Sequence, residues 1–199
     1  MRKVVVGLGN PGSRYAGTRH NAGYAVIDLL AQSPHAGRFQ SRFQAQVAEL
    51  NESAGKVLLV KPETFMNLSG MSVRELVEKY EAQLATDLVV LYDELDLPFG
   101  TLRVRPRGRS AGHNGVESVI GAVGTQEFAR VRMGVAPDHP VGDGARYVLS
   151  QFKKAQYPVV DQVLDAAAEA VKVILAEGVQ AAMNRYNRKA AAEETNGNG

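Results

Sequence analysis

The chain has 199 residues, 45% of them hydrophobic and 22% charged, with 23 lysines and arginines against 21 acidic residues. This is ordinary globular usage, with length for one substantial core and too little for two. The absence of cysteine excludes a disulfide framework and a thiolate nucleophile, and no run approaches the roughly 18 apolar residues of a membrane span.

The amino terminus is basic, but the apolar run Val4-Val5-Val6 is too short for a secretory signal, so residence in the cytoplasm is expected. Residues 3–8 read as a buried strand. Residues 21–32 read as a helix, with Ala22, Ala25 and Leu29 on one side and Val26 and Leu30 close by. Two strands at 43–50 and 56–61, separated by Asn51-Glu52-Ser53-Ala54-Gly55, form a predicted hairpin. The spacing of Val73, Leu76, Val77 and Tyr80 predicts a helix over 67–80. Strands are expected at 87–92 and 100–105, a short helix at 114–123 and a last strand at 130–135. A long amphipathic helix follows at 157–177, stopped by Gly178, then a short basic helix over 183–189. Residues 190–199 are small and polar and read as a frayed tail behind a domain of residues 1–189. Strands alternating with helices, plus one hairpin, predict a single α/β domain: a twisted mixed sheet with helices on both faces.

Charge is unevenly spread along this chain. Residues 100–132 hold six arginines (103, 105, 107, 109, 130, 132) against Glu117 and Glu127, a basic segment on a chain of net charge +2. Such a field suits an anionic partner, although a solvated charged face has the same composition.

Two motifs mislead. Gly7-x-Gly9-x-x-Gly12 matches a dinucleotide fingerprint, but Pro11, Gly12 and Gly17 delay any helix until about residue 21, where the fingerprint needs one at once. Gly108-Arg109-Ser110-Ala111-Gly112 matches a nucleophile elbow, yet the strand before it is studded with arginine and broken by Pro106. The last histidine, His139, has as its nearest preceding acid its neighbour Asp138.

Three polar clusters stand where apolar strands give out: Asn10 with His20 and Asn21, Asp93 with Glu94 and Asp96, and His113 with Asn114. Ligands gather at strand ends in an open α/β sheet, so these can meet at one site. A carboxylate such as Asp93, bonded to one nitrogen of His20, would fix the tautomer and leave the other nitrogen to activate water. Asp93, Glu94 and Asp96 without a spaced histidine pair make a poor metal site, and no cofactor is expected. Asn10, Asn21, Asn67 and Asn114 can donate to an oxyanion or hold an amide through donor and acceptor together, and Asn67 and Asn114 equally suit helix caps. Phe65 and Met66 fit either core or an exposed platform.

At these residues the chain resembles the bacterial peptidyl-tRNA hydrolases. The resemblance runs nearly end to end through GLGNPG, Y-A-G-T-R-H-N-A-G, K-P-E-T-F-M-N-L-S-G, D-E-L-D-L-P-F-G and G-H-N-G. It implies hydrolysis of the ester that joins a peptide to the 3′ end of tRNA, by a monomer using neither metal nor cofactor. By that resemblance His20 is the general base, Asp93 its partner, and Asn10 the reader of the peptide. Tyr15, Asn21, Phe65, Met66, Asn67 and Asn114 would contact the tRNA end and reacting centre, and His113, Arg103, Arg105 and Arg132 further substrate and phosphate groups. Two departures are Arg109-Ser110-Ala111-Gly112, where the family is richer in glycine, and Glu117, where a basic residue is usual. The rival expectation is a non-catalytic RNA-binding relative of the same fold, like the plastid intron-splicing homologues.

Overall fold

The structure, a computed structural model, describes residues 2–53 and 55–187; the expected tail at 190–199 lies outside the described residues. Strand β1 (Lys3–Gly7) carries Val4, Val5 and Val6, none of which reaches solvent. An uninterrupted apolar run is what a strand covered on both sides requires. Val5 belongs to a core shared with helices α1 (Ala22–Leu30) and α6 (Tyr157–Glu177). Val4 and Val6 belong to a second core with α2 (Ser69–Lys79) and α4 (Asn114–Val123) on the opposite face.

The remaining strands are β2 (Gln40–Arg42), β3 (Ala45–Glu52), β4 (Gly55–Pro62), β5 (Leu88–Pro98), β6 (Leu102–Arg105) and β7 (Ala129–Ala136), with short helices α3 (Leu84–Asp87), α5 (Gly144–Val148) and α7 (Val179–Tyr186). They form one seven-stranded sheet in the order β2-β3-β4-β1-β5-β7-β6. The central strands β4, β1, β5 and β7 run parallel, while β2, β3 and β6 pair antiparallel at the two margins. The sheet is mixed and covered on both faces, as the sequence predicts.

Connections leave β1 and β4 on opposite faces, α1 packing in one core and α2 in the other. This reversal opens a crevice beyond the carboxyl ends of β1 and β5. Gly23 brings the start of α1 down onto that end: a Cβ there would lie 2.5 Å from Leu8 N and from Leu91 O.

The departures from expectation have local causes. Residues 19–21 and 66–68 are single 3-10 turns ahead of their helices, which begin at Ala22 and Ser69. β5 was expected to end at Tyr92 but continues to Pro98, because Asp93 and Glu94 are buried and bonded within the fold. β2 has three largely exposed polar residues and so no apolar signature. The helix expected over 183–189 is α7, whose described end is Tyr186.

Candidate active site

A cavity of about 540 Å³ lies at the carboxyl ends of β1 and β5. Asn10, His20 and Asp93 form its floor, Phe65, Met66 and Asn67 one side, and Gly112, His113 and Asn114 another. A fourth side comes from Leu95 and Asp96 together with α5 and its successor Leu149, the helix being unforeseen in the sequence. Glycine and alanine in a short helix capped by Asp143, whose Oδ1 accepts from Arg146 N, give no periodic signal to detect.

Asp93 is 1% exposed and receives both histidines. His20 Nδ1 lies 2.9 and 3.0 Å from its two carboxylate oxygens, and His113 Nε2 lies 3.0 Å from Oδ1. The two imidazoles are not equivalent. His113 caps α4, its Nδ1 accepting from Gly115 N (3.2 Å) and Val116 N (3.3 Å). A neutral imidazole that accepts at Nδ1 carries its proton on Nε2, and that proton is directed at Asp93. A neutral His20 that donates from Nδ1 to this carboxylate leaves its lone pair on Nε2, which has no protein partner among the described residues. Burial raises the Asp93 carboxyl, but the charge and hydrogen bonds of His113 and His20 outweigh it, holding the acid well below the usual carboxylate range.

The donor atoms of His20, Asp93 and His113 all fall within 4.8 Å of one another, a spacing compatible with a metal ion. The cap on His113 argues against that use, since its nitrogen facing Asp93 bears a proton and offers no lone pair.

The depressed acid makes stability depend on pH. Folded Asp93 binds its proton more weakly than the unfolded chain, whose Asp titrates near about 4, so its contribution is complete above that pH and fades as pH falls below it. Asp93→Asn is therefore expected to flatten the loss of stability below about pH 4. Denaturant midpoints of both proteins across the acid range measure this, and parallel curves would refute it.

Asn10 is 7% exposed. Its Oδ1 accepts from Met66 N (2.8 Å), and a backbone N–H can only donate, so the orientation of the amide follows. Nδ2 is left with two N–H groups and no protein partner among the described residues. Asn10 thus presents donors alone, where the sequence suggested donor and acceptor together. Asn21 departs further: its Oδ1 accepts from Asn10 N (2.9 Å) and its Nδ2 donates to Asn10 O (3.0 Å). Its side chain holds Asn10 from beneath and is absent from the cavity wall.

Of the other predicted residues, Phe65 is 58% exposed at the rim and Met66 is buried beneath it. Asn67 and Asn114 are exposed on the wall. Tyr15 lies in a separate 3-10 turn, half-buried and outside that wall. Arg103 and Arg132 face each other across β6 and β7, as do Arg105 and Arg130. Like charges directly opposite repel, and the fold relieves this twice. Arg130 is buried, bonded to Arg109 O and Gln126 O. Arg132 is gripped by buried Glu94, whose Oε2 accepts from Nε (3.1 Å) and Nη2 (2.9 Å). The sequence places Glu94 in the strand-end cluster without a role of its own; its grip on Arg132 comes only with the fold.

None of the described residues lining the cavity carries a hydroxyl, thiol or amine. A mixed α/β sheet with an Asp–His pair, one open imidazole nitrogen and carboxamide donors at its strand ends suits a hydrolytic enzyme. The chain belongs to the peptidyl-tRNA hydrolase family, whose model matches residues 4–194. It is 53% identical to the peptidyl-tRNA hydrolase of Koribacter versatilis, over 98% of this chain and 97% of that one. With that of Desulfitobacterium hafniense the identity is 46%, over 94% and 100%. The crystal structure of peptidyl-tRNA hydrolase from Acinetobacter baumannii superimposes with a TM-score of 0.84 at 33% identity, covering 94% of each chain.

Proposed function

We propose that the chain hydrolyses the ester between peptide and tRNA, as its family name states, with His20 as general base. The observation that carries the assignment is the division of labour between the imidazoles: His113 has both nitrogens engaged, whereas His20 has Nε2 open to the cavity. A water bonded to Nε2 gives up a proton as its oxygen attacks the ester carbonyl. Asp93 stabilises the imidazolium formed, and the Asn10 N–H groups meet an acceptor oxygen of the substrate. Collapse of the tetrahedral intermediate breaks the bond to the ribose 3′ oxygen, which takes the proton back from His20. An ester releases a far better leaving group than a peptide bond, so a base, a water and neutral donors suffice.

Incubation with N-acetyl-aminoacyl-tRNA, measuring release of free tRNA, tests this function. Binding without release would favour the RNA-binding rival. We place the activity in the cytosol, where the substrate arises; among the described residues no helix is long and apolar enough to cross a membrane.

The arginines of β6 supply the tRNA grip. Arg103 is half-buried and Arg105 exposed on one face of the strand, while Arg132 is neutralised by Glu94. Arg103→Ala and Arg105→Ala are each expected to weaken binding equally for tRNAs of different sequence, and to lower the salt slope by about one or less. Arg132→Ala should change that slope less and instead cost about 3 kcal/mol of stability, because Glu94 is left buried and unpaired. Salt titrations and denaturant melts measure both. A slope change for Arg132→Ala as large as for Arg105→Ala, with stability intact, would return Arg132 to the phosphate grip.

A further inference from the structure

Arg19, the residue before His20, is 4% exposed. Its guanidinium donates from Nη1 to Ser150 O (3.0 Å), Ser150 Oγ (2.8 Å) and Gln151 O (2.7 Å), and from Nη2 to Gln156 Oε1 (3.2 Å). It lies 4.3 Å from the centre of the Tyr147 ring and 4.9 Å from that of Phe152. The backbone repeats the link, with Arg19 N donating to Ser150 O (3.1 Å) and Thr18 bridged to Gln151. All four acceptors of the guanidinium, two backbone carbonyls and two side-chain oxygens, are neutral. A charge this deep among carbonyls and rings is costly to bury, and an apolar residue would fill the space more cheaply. What guanidinium adds is a rigid planar fork that reaches several acceptors at once while stacking on aromatic faces.

Everything it holds lies in residues 147–156, from the end of α5 onward. That stretch anchors the wall made by Gly144, Ala145, Val148 and Leu149 in the cavity that Phe65 and Met66 also line. One side chain therefore fixes the α5 wall to the turn that presents the base. We propose that Arg19 is a positioning residue for ester hydrolysis, holding the α5 wall in register with His20 so that the scissile ester meets the water on Nε2. The inference rests on the reading of His20 as the base. Misplacement by about 1 Å can cost 10²-fold in rate with little change in binding, so the loss belongs in kcat. The tRNA body, gripped at β6, should bind as before.

The test uses Arg19→Ala and Arg19→Met in the full chain with N-acetyl-aminoacyl-tRNA. Both should lower kcat by about tenfold to a hundredfold, with KM and the affinity for uncharged tRNA within about twofold. Arg19 also borders a second cavity of about 440 Å³, with Tyr147, Lys153 and Gln156, through which a small cation can enter. Methylguanidinium in the millimolar range should therefore restore much of the kcat of Arg19→Ala, and none in Arg19→Met, whose side chain fills the space. Unchanged kcat in both variants would overturn the proposal. So would a loss that tracks the fraction of folded protein and resists methylguanidinium. His20→Ala alongside separates the two readings: full activity there removes the base assignment, whereas rescue in Arg19→Ala bears on Arg19 alone.

Discussion

His20→Ala is expected to lower kcat by about 10²–10⁴, the usual contribution of a general base, while tRNA affinity stays close to wild type. Affinity should survive because the cations proposed to meet phosphate lie on β6, and His20 lies on the cavity floor. The rate falls because no other group among the described residues can take the proton in the same geometry. His113 is the nearest candidate, its ring centre 4.8 Å from that of His20. Its Nδ1 is capped by two backbone N–H groups and its Nε2 is turned to Asp93, so substitution by His113 would require α4 to lose its cap. Asp93 cannot serve either, since its acid is held below the ordinary range and a carboxylate so weakly basic extracts few protons from water. Single-turnover rates with saturating enzyme, beside filter binding of uncharged tRNA, separate chemistry from grip. A variant that turns over at the wild-type rate would transfer the role of base away from His20.

The fold was legible where one physical signal dominated. Val4 to Val6 announced a strand buried on both faces, α6 occurs where its amphipathic period put it, and α4 spans the expected residues 114–123. Both end at glycines that adopt positive φ, Gly124 at 75° and Gly178 at 91°, where a side chain would be strained. The signal failed where burial and polarity coincide. Asp93 and Glu94 looked like the loop after a strand because, beyond the expected pairing of Asp93 with His20, sequence carries no sign that His113 and Arg132 stand ready to satisfy them. The same blindness affects partners. Arg132 in sequence is one of six arginines; only the fold sets it against Glu94 and takes its charge out of the basic field. Asn10 and Asn21 are alike on paper, yet one presents its amide to the cavity and the other spends both amide groups beneath it. Residue type and strand-end position thus picked out the neighbourhood, while the direction of each hydrogen bond had to come from three dimensions.

Those directions decide what Asn10→Asp should do, which is to narrow the preference for N-blocked over free aminoacyl-tRNA. With Oδ1 held by Met66 N, the wild-type side chain offers two N–H donors to the cavity. A peptidyl substrate brings a carbonyl acceptor beside the ester, which such donors suit. A free aminoacyl ester brings a largely protonated amine, which has donors only, so donor meets donor and the cation must also shed its water. Rejection through an unmet polar group in a buried site reaches about 10⁴ in favourable cases. Aspartate keeps the oxygen that Met66 requires, so the turn and its support by Asn21 remain. It replaces the two donors with a second oxygen, which repels the peptide carbonyl and attracts the amine. The preference should therefore fall from both sides, through slower hydrolysis of the blocked substrate and faster hydrolysis of the free one. The measurement is the ratio of kcat/KM for N-acetyl-aminoacyl-tRNA and aminoacyl-tRNA in each protein, with affinity for uncharged tRNA as the control. An unchanged ratio would reduce Asn10 to a structural bond to Met66 and move selectivity to the rim formed by Phe65, Asn67 and Asn114.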